Sequence, residues 1–204
     1  MTQTQKDRDA LREWAVFYES GLRRQNSDVN LTQAQIARLE ADPIEWIRFF
    51  FPEYCKFEFA EFQIKAIRRC IKHEEWFEVL SWARGLAKST TVMFIVIYLA
   101  LTKKKCNVMM ASATQDSAVR LLDPYKKQLE ENALIRAYYG VQVNLGNWCA
   151  EEFVAKCGCS FRAVGAGNAP RGSRNGAVRP DVLLVDDFDT DEGCRNPDTI
   201  DKNW

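Results

Sequence analysis

Residues 77–101 constrain the fold of this chain more than any other stretch. The apolar run Phe77-Glu78-Val79-Leu80 is followed by Ser81-Trp82-Ala83-Arg84-Gly85-Leu86-Ala87-Lys88-Ser89-Thr90, and then by a second apolar run over 92–101. Strand, tight loop ending in Lys-Ser/Thr, then helix is the layout of a phosphate-binding P-loop. Backbone N–H groups of the loop and of the helix N-terminus face the phosphate oxygens, the lysine adds a mobile positive charge, and the next hydroxyl ligates Mg²⁺. The pattern makes Gly85, Leu86, Ala87, Lys88, Ser89 and Thr90 candidate nucleotide-binding residues, with Ser89 on the metal. Trp82 and Ala87 stand where the pattern G-x-x-x-x-G-K-[ST] has glycine. The competing reading is therefore a strand-to-helix turn with an incidental lysine.

A second stretch decides between them. Pro180-Asp181-Val182-Leu183-Leu184-Val185-Asp186-Asp187 reads as a strand buried on both faces, as in a parallel sheet, ending in two carboxylates. Open α/β sheets bind ligands at the C-terminal ends of their strands. Asp186 is the candidate Mg²⁺ ligand there, and Asp187 the carboxylate that orients or deprotonates the water attacking the γ-phosphate. An acidic turn after a core strand is the plainer alternative. Taken together, the loop and the acidic strand predict an ATPase.

Between and around these motifs the chain alternates strand and helix patterns. Residues 106–113 predict a strand, Thr114 caps a helix broken at Asp123-Pro124, and 147–164 predict a hairpin at the sheet edge. The alternation predicts a mostly parallel sheet flanked by helices, with right-handed crossovers. Upstream, residues 7–24 carry helical spacing, Thr32-Gln33-Ala34-Gln35 opens a second helix, and Asp42-Pro43 starts a third that Pro52 ends. The aromatic segment over 44–51 is expected to cover one edge of the sheet. A helix over roughly 57–71 leads to the loop and carries Gln63, whose amide can pair with the N6 and N7 edge of adenine or be a solvated surface group.

With 28 basic and 28 acidic side chains, net charge predicts no polyanion partner, so any nucleic-acid surface must come from local clusters. Lys103-Lys104-Lys105 is one such cluster, read first as the basic end of the preceding helix. Residues 165–179 are rich in glycine and arginine. They are a solubilising loop, a DNA-backbone contact, or a source of an arginine finger, Arg171 or Arg174, reaching a neighbouring subunit's ATP site. The polar start carries no signal peptide, and the longest apolar run is too short to cross a bilayer. The seven cysteines, with Cys157-Gly158-Cys159 spaced unlike a zinc knuckle, are read as reduced thiols.

The set Phe62-Gln63, residues 83–90, Arg171-Gly172-Ser173-Arg174 and residues 179–187 resembles the large terminase subunit of tailed bacteriophages, the motor that packages DNA into the procapsid. The similarity covers about residues 40 to 190. Its most specific part is the order arginine–glycine loop, Arg-Pro-Asp, apolar strand, paired acids. Loops of that family carry an arginine four residues before the lysine, as Arg84 stands before Lys88, and alanine in the place of Ala87.

The resemblance implies an α/β P-loop NTPase of the recA/ASCE-like kind with a helical extension over 1–40 and an ATPase domain over 41–204. It implies Gln63 near adenine, Lys88 on the phosphates, Ser89 and Asp186 at Mg²⁺, and Asp187 as catalytic carboxylate where many relatives have glutamate. Arg84 would sense phosphate state, and Arg171 or Arg174 would act in trans in a homo-oligomeric ring. Implied partners are ATP, double-stranded DNA, the portal and the small terminase subunit, in the cytoplasm of an infected bacterial host and not at a membrane. Large terminases continue into the rest of the sheet and a nuclease domain. The expectation for this chain is an N-terminal ATPase fragment with an unfinished sheet and no nuclease site. The rivals are a helicase-like motor of the same chemistry and a non-catalytic piece that binds a packaging partner.

Overall fold

Six consecutive buried residues, Asn107–Ser112, form β1, the strand around which the sheet is built. The structure is a computed structural model that describes residues 33–167 and 178–188. Its elements run α1 (Gln33–Ala41), α2 (Pro43–Phe50), α3 (Glu61–Lys72), α4 (Lys88–Leu101), β1, α5 (Gln115–Glu131), α6 (Ala133–Tyr139), β2 (Glu152–Val154), β3 (Ser160–Gly165) and β4 (Val182–Val185). The strands form one open sheet in the order β2-β3-β1-β4. β3 and β4 pair with β1 in parallel, from Asn107↔Ser160 and Val108↔Val182 onward, and β2 joins antiparallel through Phe153↔Phe161. This is the mixed α/β sheet that the alternation of patterns predicts, with the edge hairpin where expected.

The core helix is α4. Its residues from Met93 to Leu101 are all buried, so it is apolar on every side and packs among α2, α3 and α5. Asp42 starts α2 as the sequence predicts, its Oδ1 accepting from the Ile44 N–H at 2.9 Å. Trp46, Ile47, Phe50 and Phe51 are then fully buried. They pack on helices and not on a sheet edge: Trp46 meets Tyr98 of α4 edge-on at 5.1 Å, and Phe50 meets Tyr139 of α6 at 5.3 Å.

Three further expectations are corrected. Pro124 does not break α5, which runs unbroken across it. Pro124 and Arg120, whose carbonyl loses its helical N–H partner to the proline, are both exposed residues. Residues 77–80 are extended but form no ladder, so the strand expected before the loop is absent from the sheet. β4 is half exposed, not buried on both faces, because among the described residues it pairs with β1 alone. The helix expected over 7–24 lies outside the described residues. Among those described, no helix is long and apolar enough to cross a membrane.

Candidate functional site

The loop over 81–87 turns into α4 through two left-handed residues, Gly85 at φ 88° and Ala87 at φ 55°. Glycine takes that conformation freely, whereas a Cβ strains it by about 1–2 kcal/mol, which is why glycine is usual in the place where Ala87 stands. The turn is held by Thr91, whose N–H and hydroxyl both donate to the Ala87 carbonyl at 2.9 Å. No side chain caps α4, and no acid lies in its first turn, so the N–H groups at Lys88, Ser89 and Thr90 remain open at the positive end of the helix.

Facing this end is the end of β4. Asp186 donates its N–H to the Ala111 carbonyl at 3.1 Å. Asp187 then turns sharply at φ 46°, and its carbonyl accepts from the Ala113 N–H at 3.1 Å. Those backbone ties fix the carboxylate of Asp186, whose Oδ1 lies 3.3 Å from Lys88 Nζ. Lys88, Ser89, Thr90 and Asp186 share a cavity of about 660 Å³, inside the roughly 300–1,000 Å³ range of small-ligand sites. A hydroxyl and a carboxylate at its head are the hard oxygen donors that suit Mg²⁺. Asp187 is exposed beside the cavity and is not part of its lining.

Gln63 lies at the loop and not in the cavity. Its Oε1 accepts the Ala60 N–H at 2.9 Å, closing the start of α3, and its Nε2 donates to the Leu86 carbonyl at 3.1 Å. One acceptor lone pair and one N–H of the amide are left over. Arg84, Gly85, Leu86 and Ala87 are exposed on the loop and outside the cavity lining. Arg171 and Arg174 lie outside the described residues.

Two cavity residues escape the sequence reading. Arg120 and Tyr125 belong to the face of α5 formed by Arg120, Leu121, Pro124 and Tyr125, spacing that turns one helical face toward Lys88 and Asp186. Tyr125 is buried, and that burial, with the Asp186 carboxylate as a second cause, pushes its hydroxyl above the ordinary value. Asp181 is a third omission. Its carboxylate accepts the Cys106 and Asn107 N–H groups at 2.8 Å each, pinning the Arg-Pro-Asp segment to the start of β1. No family model, curated protein or solved structure matches the chain.

Proposed function

We propose that this chain is an ATP-hydrolysing module of a DNA-translocating motor of the large-terminase type. The observation that carries the nucleotide part is the meeting of Lys88 and Asp186 at 3.3 Å, at the mouth of a cavity of about 660 Å³ where an uncapped helix N-terminus faces a strand end. In this reading the open N–H groups of Lys88, Ser89 and Thr90 and the Lys88 ammonium hold the β- and γ-phosphates. Ser89 and Asp186 hold Mg²⁺, which neutralises charge developing on those oxygens when bound. The sequence resemblance, and not the cavity lining, gives Asp187 the role of positioning the attacking water and taking its proton. Gln63 reads adenine with its remaining donor and acceptor while keeping the loop tied to α3. The coupling to double-stranded DNA, the ring with Arg171 or Arg174 in trans, and the portal and small-subunit partners rest on the sequence resemblance alone.

The test is thermal denaturation with and without ATP and Mg²⁺, beside an assay of phosphate release. A ligand that binds only the folded state raises stability by about 2.7 kcal/mol at a hundred times its dissociation constant. Nucleotide-dependent stabilisation and turnover are expected. Their absence would favour the rival in which the chain only binds a packaging partner.

A further inference from the structure

Four charged side chains line the cavity: Glu78, Lys88, Arg120 and Asp186. Three of them are matched. Glu78 takes an ion pair from Arg69 and accepts the Trp76 indole N–H at 2.6 Å, and Lys88 meets Asp186 at 3.3 Å. The Arg120 guanidinium has neither an ion pair nor a hydrogen bond among the described residues. The cavity therefore holds one uncompensated positive charge, and Arg120 supplies it. Arginine keeps its charge at any ordinary pH, and the planar fork of its N–H donors matches the oxygens of a phosphate.

The fold sets this charge near the strand ends. α5 starts at Gln115, directly after β1, and the Ala113 N–H just ahead of it donates to the Asp187 carbonyl at 3.1 Å. The first turns of α5 thus lie beside the end of β4. Arg120 sits five residues into the helix, about 8 Å along its axis at roughly 1.5 Å per residue. Helical side chains lean back toward the N-terminus, here toward those strand ends. Tyr125, on the same face of α5, feels the charge of the Asp186 carboxylate. Arg84, to which the resemblance gives the sensing of phosphate state, is exposed on the loop and outside the cavity lining.

We propose that Arg120 is a specificity-determining residue of this site, which grips the terminal phosphate and makes the cavity select a nucleoside triphosphate over the diphosphate. The proposal rests on the nucleotide reading above. With the base at Gln63, tied to the loop outside the cavity, the phosphate chain enters past the start of α4. Its last phosphate then lies deepest, between the Lys88–Asp186 pair and α5. Lys88 and the helix N–H groups also serve the β-phosphate, which both nucleotides carry. A group that meets the γ-phosphate alone adds affinity for the triphosphate alone, and discrimination is that difference. Once the γ-phosphate has left, the contact is gone and the diphosphate is held more loosely.

Calorimetric titration of the whole chain tests it, with Mg²⁺ and either ADP or the non-hydrolysable β,γ-imido analogue of ATP. Arg120→Gln is expected to weaken the triphosphate analogue by at least about tenfold, the scale of one hydrogen bond to a charged group, and ADP by less than about threefold. Arg120→Lys keeps the charge without the fork, and is expected to fall between wild type and Arg120→Gln. The ratio of the two affinities is the readout, because a partly unfolded variant lowers both by the same factor. Wild-type protein that binds neither nucleotide overturns the nucleotide reading, and this assignment with it. An unchanged ratio in Arg120→Gln, with a wild type that binds, overturns the assignment alone. So does a ratio that collapses in Arg84→Gln but not in Arg120→Gln, which returns the role to the loop.

Discussion

Lys88 and Asp186 are 98 positions apart in the chain, and Nζ and Oδ1 are 3.3 Å apart in space. With 39% and 28% of their side chains exposed, the pair is too wet to hold the fold together, since such pairs are worth about 0–1 kcal/mol. A pair with little structural value, at the head of a cavity, fits the proposed nucleotide site. Lys88→Ala is therefore expected to leave the melting temperature nearly unchanged and to lower ATP turnover by at least about a hundredfold, the scale for one lost charge-stabilising donor. Undiminished phosphate release by the variant would overturn the nucleotide reading.

Asp186→Asn separates metal from phosphate binding. The amide keeps the size of the carboxylate but removes its charge and its preference for a hard cation. Stabilisation by ATP with Mg²⁺ is expected to fall in the variant to the level that wild-type protein shows with ATP and a chelator. A variant that still gains from Mg²⁺ as wild type does would exclude Asp186 as the metal ligand.

Gln63 does two jobs with two atoms, which two substitutions can part. Gln63→Glu keeps the acceptor for the Ala60 N–H but loses the donor to the Leu86 carbonyl, so stability is expected to hold while nucleotide affinity falls. Gln63→Ala loses both, adding about 1 kcal/mol of destabilisation from the opened helix start. Calorimetric titration with nucleotide, beside thermal melts, reads the two effects. Equal affinity for wild type and both variants would leave the amide a purely structural role.

How far the sequence reads depends on the range of each signal. The start of α2 at Asp42, the apolar helix α4 and the all-buried β1 were legible because capping and apolar runs are local. The meeting of residues 88 and 186 was legible because the loop motif puts Lys88 at a helix start and the apolar run puts Asp186 at a strand end, the two places where such motifs meet. The exposure of β4 and the detachment of residues 77–80 were not, since an apolar run has the same pattern whether or not a neighbour covers it. Nor was the continuity of α5 through Pro124, since a proline in an apolar-periodic stretch reads as a break whether or not the helix runs on. Arg120 and Tyr125 become visible only once α5 has been laid against the end of β4.

Gly165 ends β3 where α5 begins. A Cβ there would lie 2.4 Å from the Gln115 nitrogen and 2.8 Å from the Thr114 carbonyl carbon, both backbone atoms that cannot swing aside. The close approach is locked by the Gly165 N–H donating to Gln115 Oε1 at 2.9 Å. Gly165→Ala is thus expected to cost about 1–3 kcal/mol, a fall in melting temperature of several degrees. An unchanged melt would mean that the end of β3 can pull away from α5.

Tyr125 gives the stability a pH dependence whose sign is fixed by its surroundings. Burial, and then the Asp186 carboxylate, hold the folded hydroxyl above its ordinary value of 10.0. The folded state therefore keeps its proton after the unfolded state has lost it. Stability from this group is intact below pH 10, and drains as the pH climbs through that point toward the folded value. Burial raises Tyr139 in the same direction, so wild-type protein weakens in alkali through more than one ring. Tyr125→Phe removes one share and is expected to make the loss shallower by up to about 1.4 kcal/mol per pH unit. Urea unfolding across the alkaline range, with phenolate absorbance to count ionised rings, measures it. An identical slope in the variant would mean that the Tyr125 hydroxyl reaches water freely in the folded protein.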